Sequence, residues 1–526
     1  MSFGKLGVGA LRHTYAVVVL TVLFIITRLF LFTGFPFSMN FLKIGMQLLD
    51  PAQLKMHLAG ALFYQHIQPP LFNAMVGGIL QLAPKEGTAL TVFAFLYAVT
   101  GLLLVIGVYA LAVNLGAGRV WSFVSAAVYT FWPPNILEQV FNHPPPEKWL
   151  SYDYPVMLFL LAMTLCMAMF RNSGKPRWLA GFLLLSAAIV WTRPFFHSLW
   201  WFVPTMILVI LAMRRLIKAE RLGLMAVAVL ALGLSLAPAV KNQILYGWFT
   251  DSSFKGMNMA SRILFLSPEV IKGEVDRGTI TPLALIPRFS EPEVYLDYYG
   301  ETELTGNALL DRVDKSTGHP NWNHFITIRA SREYGANTRA LIKAHPVELV
   351  KTTLNGIYIF FGFESHQFLW PLGSDPWGFW DVDFVPVRIE GFGSLLRFVG
   401  VPIIFAIVFF TVMYQMYRGR GDPLFLFILF LMAYTFAVSN IAELGHNNLF
   451  RKQVDPMLFA GAALWLTRFW QGRGGTRAPL PGPGEPDRSS GGQVSPVHGQ
   501  PAAPFLQEEQ NGETESGSNH PDGPVA

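Results

Sequence analysis

Residues 63–84 read FYQHIQPPLFNAMVGGILQLAP, an apolar run interrupted by His66, two glutamines and the pair Pro69–Pro70. If 70–84 crossed a membrane, the basic segment RNSGKPR at 171–177 would land on the outer side. That would oppose the tendency of Lys and Arg to stay in cytoplasmic loops. The stretch 70–84 is therefore predicted to be an interfacial or re-entrant helix that does not cross. Its proline pair stops the preceding helix and starts the next, because a first helical turn leaves its N–H groups unpaired in any case.

The surrounding chain calls for a membrane. Its 526 residues are 52% hydrophobic and only 14% charged, with a mean hydropathy of +0.39. One soluble core cannot hide that much apolar surface. The expected fold class is an all-α polytopic membrane protein with about 10 transmembrane helices. They fall near 14–34, 89–113, 119–139, 154–170, 178–193, 198–213, 222–240, 394–417, 422–440 and 456–470. The first span follows Lys5, Arg12 and His13 and has no small-residue cleavage site, so it reads as an uncleaved anchor with a cytoplasmic N-terminus. Basic residues at 171–177, 213–221, 418–421 and 468–477 mark cytoplasmic turns. Segments 35–88, 140–153, 241–390 and 442–456 then share the outer side.

This parity divides the chain into a seven-span module with outer juxtamembrane helices over 1–240, an extracytoplasmic loop domain of mixed structure over 241–390, three further spans over 391–470, and a tail over 471–526. The tail is rich in Pro, Gly and Ser and holds three Arg against seven acidic residues, a composition that predicts a disordered cytoplasmic segment. The single cysteine, Cys166, lies inside the fourth span, so no internal disulfide can brace the long outer loop.

One carboxylate, Asp50, stands between residues 35 and 85, in MQLLDPAQLKMH. Asp followed by Pro is a good helix start, so it reads equally as a cap or as a general base near the bilayer surface. His319 and His324 lack the spacing of a metal site and read as solvated loop residues. Arg28, within the first span, is expected to face the helix bundle and to pair with Glu138 or with a lipid phosphate.

The order of one span, an outer loop with an early acid, a PPL helix, six more spans and a large outer domain resembles the GT-C glycosyltransferases that use polyprenyl-phosphate sugars. The bacterial branch related to aminoarabinose transferase and protein O-mannosyltransferase is the nearest in pattern. Asp50, QPPLFN at 68–73, WPPNILEQVFNHPPPEKWLSYDYP at 132–155, WTRPFFHSLWW at 191–201 and HNNLFRKQVDP at 446–456 carry the resemblance. It implies an inverting transfer of a sugar from a polyprenyl-phosphate donor to a lipid, glycan or protein acceptor, on the outer face of an inner (plasma) membrane. Asp50 would be the catalytic base. Arg193, His197, Arg451 and Lys452 would hold the donor phosphate, because the leaving phosphate gathers charge as the glycosidic bond breaks. His66, Gln68, Lys148, Asp153, Asn447 and Asn448 would line the substrate pocket. The family's His or Lys before the proline pair is replaced here by Ile67–Gln68, and no second acid adjoins Asp50. No metal site is therefore assigned and no cofactor is required, a divalent cation being unsupported by the pattern.

Two other functions fit a polytopic chain. A transporter or flippase for a lipid-linked substrate would show internal repeats and polar breaks at mid-membrane, and neither is visible in this sequence. An oligosaccharide polymerase or ligase would differ in its carrier, which mono- and pyrophosphate donors would separate. Nothing in the sequence points to nucleic acid.

Overall fold

The structure is a computed structural model that describes residues 3–31, 37–132, 150–263, 266–300, 304–361, 400–419, 421–442 and 447–473. Among these residues it is helical, with one isolated bridge between Asp314 and Pro320 and no strand. Six helices are long and apolar enough to cross a membrane: His13–Phe30, Glu86–Leu115, Asp153–Ser173, Lys218–Tyr246, Val401–Arg418 and Pro423–Ile441. This is fewer than the ten spans expected. Pro176–Thr192 and Ser198–Ala212 are apolar but shorter. Arg119–Thr130 fills only the first part of the expected third span, which lies outside the described residues from 133 on. Asp455–Arg473 is long enough, but Asp455, Arg468 and Arg473 dilute its apolar content.

Leu71–Leu82 is a helix of 12 residues, with Pro70 as its N-terminal flank. At 1.5 Å per residue it spans about 18 Å, too short for a hydrocarbon core of about 30 Å. It packs instead on the short helix Pro51–Met56 and touches Pro176–Thr192. The reading of 70–84 as a segment that does not cross agrees with this length.

The long helices share one apolar core. Asp153–Ser173 lies between Glu86–Leu115 and Pro176–Thr192. Gly107 permits the first approach, since a Cβ there would fall 2.4 Å from Leu161 Cδ2. The last helix returns to the start of the chain. Ser125 Oγ donates to Phe459 O at 2.5 Å, and Gly118 N donates to Thr467 Oγ1 at 2.8 Å. Arg28 does face a neighbour, donating from Nη1 to Thr130 O at 2.9 Å and lying 4.2 Å over the Phe24 ring. Its expected partner Glu138 is outside the described residues.

Beyond Tyr246, the expected mixed structure gives way to short helices: Lys255–Met259, Pro268–Asp276, Pro292–Tyr299, Ala308–Asp311, Ile326–Ala344 and Pro346–Phe361. Prolines 268 and 292 sit at first helical positions, where a fixed φ favours a new helix over a strand. Gly256 lets Lys255–Met259 lie directly on Ile326–Ala344, because a Cβ there would meet Ser331 O at 1.7 Å. Residues 362–390 of the predicted loop domain, and the tail beyond 473, lie outside the described residues.

Candidate active site

The segment 63–73 joins distant parts of the chain, and mostly its backbone makes it so. Four consecutive carbonyls accept hydrogen bonds from remote residues. Tyr64 O accepts from Tyr246 OH at 2.7 Å and from Asn323 Nδ2 at 3.2 Å, and Gln65 O accepts from Lys241. His66 O accepts from Ser253 N at 2.8 Å, and Ile67 O from Ser252 Oγ at 2.5 Å.

His66 itself is buried, with 1% of its surface exposed. Its Nδ1 pairs with Ser253 Oγ at 2.8 Å and its Nε2 with Asn323 O at 3.1 Å. Both ring nitrogens are thus used inside the protein, so His66, expected in the substrate pocket, is a buried brace. Gln68 is half-buried, and its carbonyl accepts from Gln65 Nε2 at 2.9 Å.

Burial lowers the His66 pKa from 6.5 to about 3. A histidine depressed in the folded state stabilises the fold fully only above its unfolded value. Between pH 6.5 and about 3 the unfolded chain binds the proton that the folded chain refuses, so stability falls as pH falls. The thermal midpoint is expected to drop through this window, by up to about 1.4 kcal/mol of stability per pH unit. His66→Gln should flatten that part of the profile in thermal unfolding measured across pH. An unchanged acid slope in the variant would show that another group titrates there.

Asp50 is also buried, with 7% exposed. It caps Pro51–Met56: its Oδ1 accepts from Ala52 N at 3.0 Å. The same oxygen accepts from Ser316 Oγ at 2.5 Å, and Oδ2 accepts from Ser316 N at 3.0 Å. Lys315 lies alongside, donating to Gly45 O at 2.8 Å. Burial pushes that lysine down to about 8 against the opposing pull of the Asp50 charge. The cap reading of Asp50 is therefore realised in the geometry. Ser316 is exposed, however, so the hydroxyl on Oδ1 borders solvent.

A second constellation joins three distant stretches. Arg193 is 6% exposed, ends Pro176–Thr192, and pairs with Asp153 at the start of Asp153–Ser173. Gln453 Nε2 donates to the same Asp153 oxygen at 2.7 Å, and Ser151 Oγ donates to the other at 3.1 Å. The guanidinium lies 4.8 Å over the Tyr152 ring and 4.3 Å over Phe450. His197 comes four residues later, half-buried, with Nδ1 accepting from Leu199 N at 3.1 Å.

The final motif packs into the same neighbourhood through Phe450 and Gln453. Arg451 is fully buried, donating from Nη1 to Phe360 O at 3.0 Å and pairing at 3.5 Å with Asp455, which accepts from Trp132 Nε1 at 2.9 Å. Asn447 and Asn448 are buried, with Asn447 Nδ2 donating to Ser439 O at 2.7 Å. Lys452 is 6% exposed. The expected pocket asparagines thus pack against neighbouring helices. Lys148 lies outside the described residues.

The two constellations meet at the Pro-Pro helix. Asn73 Oδ1 accepts from Leu49 N at 3.0 Å, beside Asp50, while the ring of the preceding Phe72 stands 5.8 Å from Tyr152, beneath Arg193. Two adjacent side chains at one helix start thus pack on the backbone next to the acid and on the ring next to the cation.

Several residues that sequence reasoning passed over belong here. Asp251 is 3% exposed, interacts electrostatically with His197 and Lys255, and carries an Oδ2 with no hydrogen-bond partner among the described residues. Burial pushes its carboxyl above the usual range. Its only sequence signal is a lone acid in WFTDSSF. Gln453 lies within the motif HNNLFRKQVDP but was not singled out there, and Ser316 was not singled out either. His324, expected in solvent, is 1% exposed, and its Nδ1 accepts from Ile326 N at 3.2 Å at the start of Ile326–Ala344. No group of three His, Cys, Asp or Glu side chains able to hold a metal ion occurs among the described residues.

No protein-family model matches the chain, and no curated protein matches it. Among solved structures, it is similar to the Archaeoglobus fulgidus oligosaccharyltransferase in the apo form, at 13% identity and a TM-score of 0.44, over 88% of this chain and 51% of that one. It is also similar to the same protein tethered by a disulfide bond to an acceptor peptide containing the NVT sequon, at 10% identity and a TM-score of 0.37, over 88% and 50%. The chain thus spans about half the length of that protein.

Proposed function

We propose that this chain is an integral membrane glycosyltransferase that moves a sugar from a polyprenyl-phosphate carrier to an acceptor hydroxyl at the non-cytoplasmic face. The observation that carries the reading is that one helix start packs on the backbone next to Asp50, through Asn73, and on the Tyr152 ring under Arg193, through Phe72. A base and a buried, aromatic-flanked cation supported by one short helix are what displacement of a lipid phosphate requires. The acceptor oxygen attacks the anomeric carbon from the face opposite the phosphate, and its proton passes to Asp50. The bond between that carbon and the phosphate oxygen breaks with its electron pair on the phosphate, which Arg193 receives, and the anomeric configuration inverts. The exposed hydroxyl of Ser316, on Asp50 Oδ1, marks where an acceptor hydroxyl would stand. Arg451 and Lys452, in a buried motif that reaches the Arg193 cluster through Gln453, add positive charge to that side of the site.

The reading is tested by incubating purified protein with sugars on mono- and pyrophosphate polyprenyl carriers and following the acceptor by mass. Absence of both donor binding and transfer for every carrier would overturn it. Mass spectrometry of envelope glycans from a strain lacking the protein would identify sugar and acceptor.

Sidedness belongs to the same proposal: ten spans, both termini cytoplasmic, and the loops holding Gln81 and Thr305 outside. With Cys166 replaced by serine, single cysteines at these two exposed positions are expected to react with an impermeant reagent from the outer side of sealed cells. Protection of position 305 would break the assignment. Protection of position 81 alone would make Leu71–Leu82 part of a crossing.

A further inference from the structure

A cavity of about 850 Å³ opens between the end of Lys218–Tyr246 and the helix Ile326–Ala344. It shares no lining residue with Asp50 or with the Arg193 cluster. Its size falls within the range of pockets that hold small ligands, about 300–1,000 Å³. Tyr64, Tyr246 and Phe325 supply aromatic surface, and Asn307 supplies an amide.

Charge is arranged unevenly within it. Arg329 and Arg332 both line the cavity and are exposed, three residues apart on one helix, so they sit on the same face. Arg332 donates to Tyr246 O at 2.8 Å and lies 5.2 Å over the Trp248 ring, while Arg329 lies 4.0 Å over Tyr299. Such stacking fixes the planar guanidinium of Arg332, whose remaining N–H groups can fork onto an anion. No carboxylate among the described residues forms an ion pair with Arg332. The acid that lines the cavity, Glu333, is engaged elsewhere: it accepts from Tyr299 OH at 2.8 Å, from Tyr298 OH at 3.2 Å and from Thr281 Oγ1.

We infer that this cavity binds an anionic saccharide, one carrying a carboxylate or phosphate. A sugar ring has an apolar C–H face that suits the aromatic walls and a rim of hydroxyls that suits the amide. Its acidic group takes the arginine edge, where a bidentate pair is among the stronger polar contacts. Arg332 and Arg329 are the specificity residues. Binding here is independent of the transfer reaction, because it needs no donor and no turnover.

The test is calorimetric titration of the full-length protein in a neutral detergent with trigalacturonate, maltotriose and glycerol phosphate. Trigalacturonate is expected to bind at least about tenfold more tightly than maltotriose, the difference of roughly one charge-assisted hydrogen bond. Arg332→Ala and the milder Arg332→Gln should each remove that advantage while leaving maltotriose binding and the thermal midpoint nearly unchanged. Equal binding of the two trisaccharides, no binding of either, or an affinity for trigalacturonate indifferent to Arg332 would overturn the inference. So would glycerol phosphate binding as tightly as trigalacturonate, which would make the cavity a cradle for lipid headgroups.

Discussion

Arg193→Ala is expected to slow single-turnover sugar transfer by about 10²–10³, the typical cost of losing one preorganised donor to developing charge, and to weaken donor binding as well. The fold should tolerate it. Asp153 keeps hydrogen bonds from Gln453 and Ser151 when the guanidinium is gone. The reverse variant, Asp153→Ala, strands a cation that is 6% exposed and should cost about 3–5 kcal/mol of stability. Arg193→Lys separates charge from shape: it retains a point charge but loses the planar fork and the stacking on Tyr152 and Phe450. Donor binding and thermal unfolding of all three variants check the assignment. Wild-type transfer and binding by a folded Arg193→Ala would remove Arg193 from the site.

Asp50→Asn is expected to slow transfer by about 10²–10⁴, the usual contribution of a positioned general base. It should also destabilise the fold modestly. The amide nitrogen would replace Oδ2 and face the Ser316 N–H, donor against donor, a mismatch worth about 1–3 kcal/mol. A fall in activity therefore counts only beside a measured fall in folded fraction. Ser316→Ala provides the control, since it removes the hydroxyl from Oδ1 but keeps the carboxylate and the backbone bond; transfer should persist there. If Asp50→Asn lowers only the unfolding temperature, Asp50 is a helix cap and nothing more, and Asp251 or Asp153 becomes the acid to examine by substitution.

How far the sequence alone reveals the fold and the site depends on the range of the forces involved. The short helix within 70–84 was legible because its proline start and its length are local features. The existence of long apolar helices was legible for the same reason. Ser316, Gln453 and Asp251 were not, because each gains its meaning from a partner far away in the chain, as Ser316 does from Asp50 and Gln453 from Asp153. The bracing bonds of His66 were hidden in the same way. Nothing near it in sequence announces Ser253 or Asn323, the residues that close it off from water. The stretch after Tyr246 carries no long apolar run that would announce its helices. The prolines were in fact helix starts.

The reliance of the 63–73 junction on carbonyl oxygens from Tyr64 to Ile67 has an evolutionary side. Every residue type presents the same carbonyl, so substitution at positions 64, 65 and 67 leaves those acceptors in place as long as the backbone path survives. The donors on the other side of the junction have no such latitude: Lys241, Tyr246, Ser252 and Asn323 each contribute a particular side chain. Drift should therefore accumulate on the accepting strip and spare its distant donors, so that related chains could diverge at this junction without losing the way their two halves meet.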